Sequence, residues 1–144
     1  MFMRIGNGLI KAILASRLHG ILSKNMLIIE LKGLKSRKTY ALPVNYVQAG
    51  KTVFITSMRT RTWWRNLSPT ADVVLTFRGN RVAARATSYS NVEQVVTMLG
   101  IYLQAAPQQA KYFEVGTQAD GAFSKEDLAR ASGKRIIITA VLTQ

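Results

Sequence analysis

The sequence predicts an α+β domain built on a mostly antiparallel sheet of about six strands. Three observations lead there. Short β-rich runs follow one another between residues 26 and 89, joined by compact turns. Helical spacing is confined to the start of the chain and to the part after Asn91. The run 135–142 (RIIITAVL) then returns to strand composition. The pattern leaves open whether the sheet closes into a barrel.

Taken in order, residues 8–24 read as an amphipathic helix. Ile10, Ile13, Leu14, Leu18, Ile21 and Leu22 recur at helical spacing, with Lys11, Arg17 and Lys24 largely off that stripe. Such a helix either packs one face on the domain or lies on an anionic membrane surface. Residues 26–32 and 39–47 read as strands joined by the basic connection Gly33-Leu34-Lys35-Ser36-Arg37-Lys38. Ala49-Gly50 marks a turn before the β-rich run 52–58. Residues 59–68 break the pattern with charge and two tryptophans. The runs 72–78 and 81–89 flank Gly79-Asn80, a short hairpin signal.

Asn91 is the expected N-cap of a helix whose stripe is Val92, Val95, Val96, Leu99 and Leu103, with Pro107 ending it or starting the next turn. Ser124 heads a second helix over 124–131, with Asp127 in a capping-box arrangement. Residues 135–142 form the last buried strand. The length, 144 residues, suits one domain over 1–144. Within it, 1–24 is the N-terminal helix, 25–90 the strand-rich core, and 91–144 the later helices and final strand.

Charge is distributed unevenly. The formal net charge is +13, from 20 basic and 7 acidic residues. Residues 1–92 hold 15 of the basic side chains and only two acids, Glu30 and Asp72. That part should meet an anion: a phosphate-bearing ligand, a lipid headgroup or nucleic acid. No apolar run reaches the roughly 18–20 residues that span a bilayer. Lys11, Arg17 and His19 interrupt the N-terminal apolar positions, which argues against a signal peptide. The expectation is a cytoplasmic protein, with peripheral contact at the inner face of an anionic membrane open to it.

Composition removes several chemistries. With no cysteine, disulfides, thiolate catalysis and cysteine-ligated metals are excluded. His19 is the only histidine, so a multi-histidine metal site is excluded and no metal is expected. The acids are scattered apart from Glu126-Asp127, and neither a P-loop nor G-x-G-x-x-G is present. Hydride transfer needs none of these groups, because a cofactor carries that chemistry and the protein positions it. Two constellations remain. Lys35, Ser36, Arg37 and Lys38 crowd three cations and a hydroxyl into a strand-to-strand turn, which suits phosphate but is also what a solvated turn looks like. In Arg59-Thr60-Arg61-Thr62-Trp63-Trp64-Arg65-Asn66-Leu67, arginines beside aromatics can hold a phosphate and a flat ring, or stack on single-stranded nucleic acid. Adjacent tryptophans on a helix face different ways, so one of the pair is expected in the core.

The ordered series of segments resembles the deazaflavin-dependent nitroreductase family, within the flavin-binding split-barrel superfamily. Gly33-Leu34-Lys35-Ser36-Arg37-Lys38 looks like its Gly-Arg-Lys-Ser-Gly-Lys/Arg loop. Leu42-Pro43-Val44-Asn45-Tyr46 looks like its Pro-containing strand, and Trp63-Trp64-Arg65-Asn66-Leu67 is similar to its W-W/Y-x-N-L segment. Gly79, Tyr102-Leu103, Pro107, Asp120-Gly121 and the terminal strand also fit. The resemblance implies a split β-barrel and a deazaflavin coenzyme, F-420, with FMN as the alternative. It implies hydride transfer to a small electron acceptor such as a quinone, nitro compound or activated alkene. It also implies a homodimer. No catalytic residue is assigned.

On this resemblance, Lys35, Ser36 and Lys38 hold the cofactor phosphate or acidic tail, with Arg37 supplying further charge. Pro43, Val44 and Asn45 lie along the ring system. Ser57, Met58 and Arg59 line the cleft, and Trp64 and Asn66 close it, leaving Trp63 to the core or barrel mouth. The chain departs from the family at Arg37, where a glycine is usual, and at Tyr40, where an arginine is usual. Glycine there would allow a positive φ. The competing functions are a non-catalytic binding protein for a flavin, haem or lipid on the same barrel, and a nucleic-acid binder.

Overall fold

The computed structural model describes residues 3–4 and 26–143. The helix expected over 8–24 lies outside them. Seven strands occur among the described residues: β1 (Met3–Arg4), β2 (Met26–Lys32), β3 (Thr39–Ala49), β4 (Thr52–Met58), β5 (Thr70–Phe77), β6 (Asn80–Tyr89) and β7 (Arg135–Leu142). The two α-helices are α1 (Val92–Ala105) and α2 (Lys125–Lys134), and Trp63–Leu67 and Pro107–Phe113 form 3-10 helices.

The strands run β3-β2-β5-β6-β7-β4, and β4 pairs back onto β3, so six strands close into a barrel. Every pairing is antiparallel. Side chains alternate across a strand, and this sets the two core regions. Leu27, Ile29 and Leu31 of β2 and Ile136, Ile138 and Ala140 of β7 fill the barrel interior with Trp63, Trp64 and Leu67. Ile137 points to the other face, where it packs with Val95, Leu99, Tyr102 and Leu103 of α1 and with Phe113. A strand covered on both faces reads as an unbroken apolar run, which is why residues 136–138 carry no alternation.

Helix caps behave as their residues require. Asn91 Oδ1 accepts from the N–H groups of Glu93 and Gln94. Ser124 Oγ accepts from Asp127 N–H, but the Asp127 carboxylate turns to Gly116 N–H instead of completing a capping box. The structure moves some expected positions. Val92 is exposed, and Tyr102 takes the buried place beside Leu99 and Leu103. The hairpin turns one residue earlier than Gly79-Asn80: Phe77 pairs with Asn80, and Arg78 and Gly79 form the two-residue loop. Both have positive φ, 52° and 79°, the backbone a two-residue loop needs to match the strand twist.

The barrel is split on one side. β3 pairs with β1 only at Tyr40 and Ala41 and with β4 only from Tyr46 to Ala49. Between them, Leu42–Asn45 has no strand partner on that edge among the described residues. β4 likewise continues through Thr56, Ser57 and Met58 paired only with β7. The two strands diverge and leave a cleft.

Candidate functional site: a cationic cleft in the barrel split

The cleft between β3 and β4 encloses about 170 Å³. Leu42, Pro43, Val44 and Asn45 form one wall and Thr56, Ser57 and Met58 the other. Met26, Arg61, Trp63 and Arg135 complete the lining. Apolar side chains and an indole make a surface suited to a flat ring, and two guanidinium groups make it cationic. The lining contains no carboxylate. Glu30 and Asp72, the only acids of residues 1–92, are taken by Arg81 and Arg85 at 2.9 Å each. Arg61, Lys35, Arg37 and Lys38 therefore find no carboxylate in that part of the chain.

Each cleft residue is placed by its element. Arg135 opens β7 and pairs with Met58 at the end of β4, which carries it to the cleft although 77 positions separate it from Met58 in the chain. Its guanidinium carbon lies 4.4 Å from the centre of the Phe113 ring. Burial pushes its pKa down from the usual arginine value, and the nearby Tyr102 hydroxyl partly opposes this. Trp63 begins the first 3-10 helix and is 1% exposed. Its Nε1 donates to Ser57 Oγ at 3.1 Å, pinning the indole to β4. Behind the cleft, the buried Tyr102 hydroxyl donates to Gln109 Oε1 at 2.7 Å. Desolvation pushes the Tyr102 pKa up to about 12, so the phenol stays neutral.

Among the residues named from the sequence, Pro43, Val44, Asn45, Ser57 and Met58 meet in this cleft. The others lie elsewhere. Lys35, Ser36, Arg37 and Lys38 form the β2–β3 turn, where Ser36 Oγ is 3.0 Å from Tyr40 Oη and accepts from Lys38 N–H. Arg37 has φ 60°, a left-handed backbone that glycine adopts at lower cost. Gly33 allows the turn to close, because a Cβ there would lie 2.7 Å from the Tyr40 ring. Arg59 does not line the cleft. Its guanidinium donates to the carbonyls of Gly133, Ser90, Ser132 and Arg135 and satisfies the end of α2.

Trp64 also lies away from the cleft lining. It is packed in the barrel interior at 6% exposure, with Arg65 stacked 4.7 Å above its ring. A 3-10 helix rotates about 120° per residue, and here both directions lead into apolar packing, with Trp63 the one at the cleft. Asn66 is a connector. Its Oδ1 accepts from Leu34 N–H and its Nδ2 donates to Trp63 O, tying the basic turn to the tryptophan helix. The sequence leaves Trp63 to the core or barrel mouth and offers Arg61 only within the 59–67 constellation, while Arg135 is not expected at the cleft at all. The one signal for Arg135 is a lone cation at the head of a fully apolar strand.

No group of three or more His, Asp or Glu side chains that could hold a metal occurs among the described residues. Nor is any described helix long and apolar enough to cross a membrane.

No protein-family model matches the chain, and no curated protein matches its sequence. Several solved structures share its fold. A candidate 5-nitroimidazole antibiotic resistance protein from Bacteroides thetaiotaomicron superposes with a TM-score of 0.56 at 13% identity, over 100% of this chain and 83% of that one. A domain-swapped dimer gives 0.53 at 15% identity, over 92% of this chain and 94% of that one. A candidate pyridoxamine 5′-phosphate oxidase from Listeria innocua gives 0.50 at 11% identity, over 95% and 93%. At these identities the likeness is one of fold: this chain is an α+β split β-barrel.

Proposed function

We propose that this chain is a small oxidoreductase that binds a phosphate-bearing flavin-type cofactor in the split between β3 and β4 and acts on a small organic acceptor. F-420 is the first candidate and FMN the second. The observation that carries the reading is the cleft itself. Its lining joins apolar side chains and one indole to short polar groups, with cations that have no carboxylate partner among the described residues and no group suited to hydrolytic acid–base work.

The residues fit such a group. Lys35 and Lys38, exposed on the turn at the head of β3, would hold its phosphate or acidic tail, with Arg37 adding charge. Pro43, Val44 and Asn45, whose edge toward β4 has no strand partner among the described residues, would lie along the ring. Ser57 and Met58 face them, and the Trp63 indole, fixed by Ser57, forms a rigid wall that keeps water out. When bound, a flavin-type cofactor supplies hydride transfer. The acceptor is a quinone, nitro compound or activated alkene, as the family resemblance implies.

The cleft of one chain is smaller than the roughly 300–1,000 Å³ of sites that enclose drug-sized ligands. A second copy covering its open side would complete it, and the domain-swapped dimer among the structures of this fold lends support. Light scattering should then give twice the 16.0 kDa mass of the chain.

The test is an equilibrium titration of the purified protein with F-420, FMN and FAD at one salt concentration. Saturable binding of one of them, weakened about tenfold or more in Lys35→Ala/Lys38→Ala, is the expected result. Absence of saturable binding by all three removes the reading. Binding without reduction of any acceptor would turn it into a carrier.

A further inference from the structure

We propose that Arg61 and Arg135 form a second anion site, separate from the basic turn, which binds a carboxylate or phosphate group of the small-molecule substrate. The substrate assignment rests on the cofactor reading above; the anion site rests on geometry alone.

Both arginines line the same cleft. Arg135 is half-buried and stacked on Phe113, and no ion pair among the described residues includes it. A desolvated cation is costly unless an anion offsets it. The acids that could do so are committed elsewhere. Glu30 and Asp72 pair with Arg81 and Arg85, and Asp127 pairs with Arg130. Arg61 is exposed at the cleft rim and has no carboxylate partner among these ion pairs. Its neighbour Arg59 is occupied by four carbonyls and contributes nothing to the cleft. Ser57 and Asn45 add short polar groups to the same lining.

Position separates this pair from the turn. Lys35–Lys38 precedes the first residue of β3, whereas the cleft begins at Leu42 and extends to Asn45. β4 runs antiparallel to β3 with Tyr46 opposite Ile55, so Met58 and its β7 partner Arg135 stand level with Pro43, about 13 Å along β3 from Thr39. A cofactor anchored at the turn leaves the arginines free for a second negative group. The ligand class is therefore a small anionic organic molecule, with the charge at one end and the reducible group lying over β3.

Benzoate, its neutral counterpart benzamide, and inorganic phosphate are suitable probes, followed through the NMR signal of the Trp63 indole N–H. The protein is the full chain, with folding of each variant checked by thermal melting. Benzoate and phosphate should saturate the wild type and benzamide should not. Arg61→Met and Arg135→Met should each weaken benzoate by about tenfold or more, while Lys35→Ala/Lys38→Ala leaves it unchanged. Arg61 is exposed, so Arg61→Met remains informative if Arg135→Met fails to fold. Unchanged benzoate affinity in Arg61→Met, or equal binding of benzamide, overturns the site.

The same variants titrated with FMN and F-420 separate the two sources of the anion. Loss of cofactor affinity in Lys35→Ala/Lys38→Ala and not in Arg61→Met supports the proposal. The reverse gives the cleft arginines to the cofactor phosphate and overturns it, with cofactor binding intact. Benzoate binding at Arg61 with no cofactor bound by any variant keeps the anion site and removes the cofactor reading.

Discussion

Trp63 Nε1 donates to Ser57 Oγ at 3.1 Å, a bond between the first 3-10 helix and β4 at the cleft wall. The adjacent Trp64 Nε1 is buried without a partner among the described residues. Both indoles belong to the barrel interior, so both truncations should be costly. Trp63→Ala and Trp64→Ala should each destabilise by about 3–5 kcal/mol. The milder changes should differ. Trp63→Phe loses the buried hydrogen bond to Ser57 Oγ, whereas Trp64→Phe removes an N–H that has no acceptor among the described residues, so Trp64→Phe should cost less. Urea denaturation gives the four values. A Trp64→Ala protein with the wild-type midpoint would contradict this placement.

Arg59 should behave as a structural residue. Its four carbonyl partners lie at the end of α2, beside β7 and just before α1. Arg59→Met should lower stability by about 2–3 kcal/mol and leave ligand affinity in the cleft unchanged. Thermal melting and benzoate titration on the same sample check both halves.

Of the four described non-glycine residues with left-handed backbone, two lie in strand-to-strand turns, Arg37 at φ 60° and Arg78 at φ 52°. Arg37→Gly relieves the first and should stabilise by about 1 kcal/mol. Arg78→Asn would create the favoured Asn-Gly loop with Gly79 and should raise stability by a similar amount. A lower melting temperature in both variants would show that the arginine side chains contribute more than their backbones cost.

Stability should fall at both pH extremes for identifiable reasons. The Gly116 N–H and then Arg130 hold the Asp127 carboxyl below its usual value. Its contribution is therefore present above the unfolded carboxylate range and is lost as pH falls below about 4. Tyr102 has the opposite sign. With its folded pKa raised to about 12, its contribution is complete below the unfolded tyrosine value near 10 and is lost as pH rises from there. Asp127→Asn should flatten the acid limb and Tyr102→Phe the alkaline limb of stability measured against pH.

What the sequence conveyed follows its physics. β2, β4 and β7 end where their apolar runs end, and Asn91 and Ser124 cap because short polar side chains reach exposed backbone N–H groups. The 3-10 helix Pro107–Phe113 has too few residues to show a period. The cleft was half legible. Pro43, Val44, Asn45, Ser57 and Met58 followed from family-like segments, but Arg135 reaches the cleft only through the pairing of β4 with β7. Arg59 and Arg61 look equivalent in the chain. The bond from Arg61 N–H to Met58 O at 3.1 Å marks the bend between them, after which one serves α2 and the other the cleft. No local pattern encodes that choice.

The central claim is that the split between β3 and β4 is the cofactor site. Met58 stands at its mouth with 37% of its surface exposed, so a charge can be placed there without disturbing the core. The decisive measurement is the affinity of F-420 and FMN for the wild-type protein and for Met58→Glu, with folding verified by thermal melting. Saturable binding by the wild type, weakened about tenfold or more by the added carboxylate, is the predicted result. Binding of equal strength in both proteins would place the cofactor elsewhere and contradict the account.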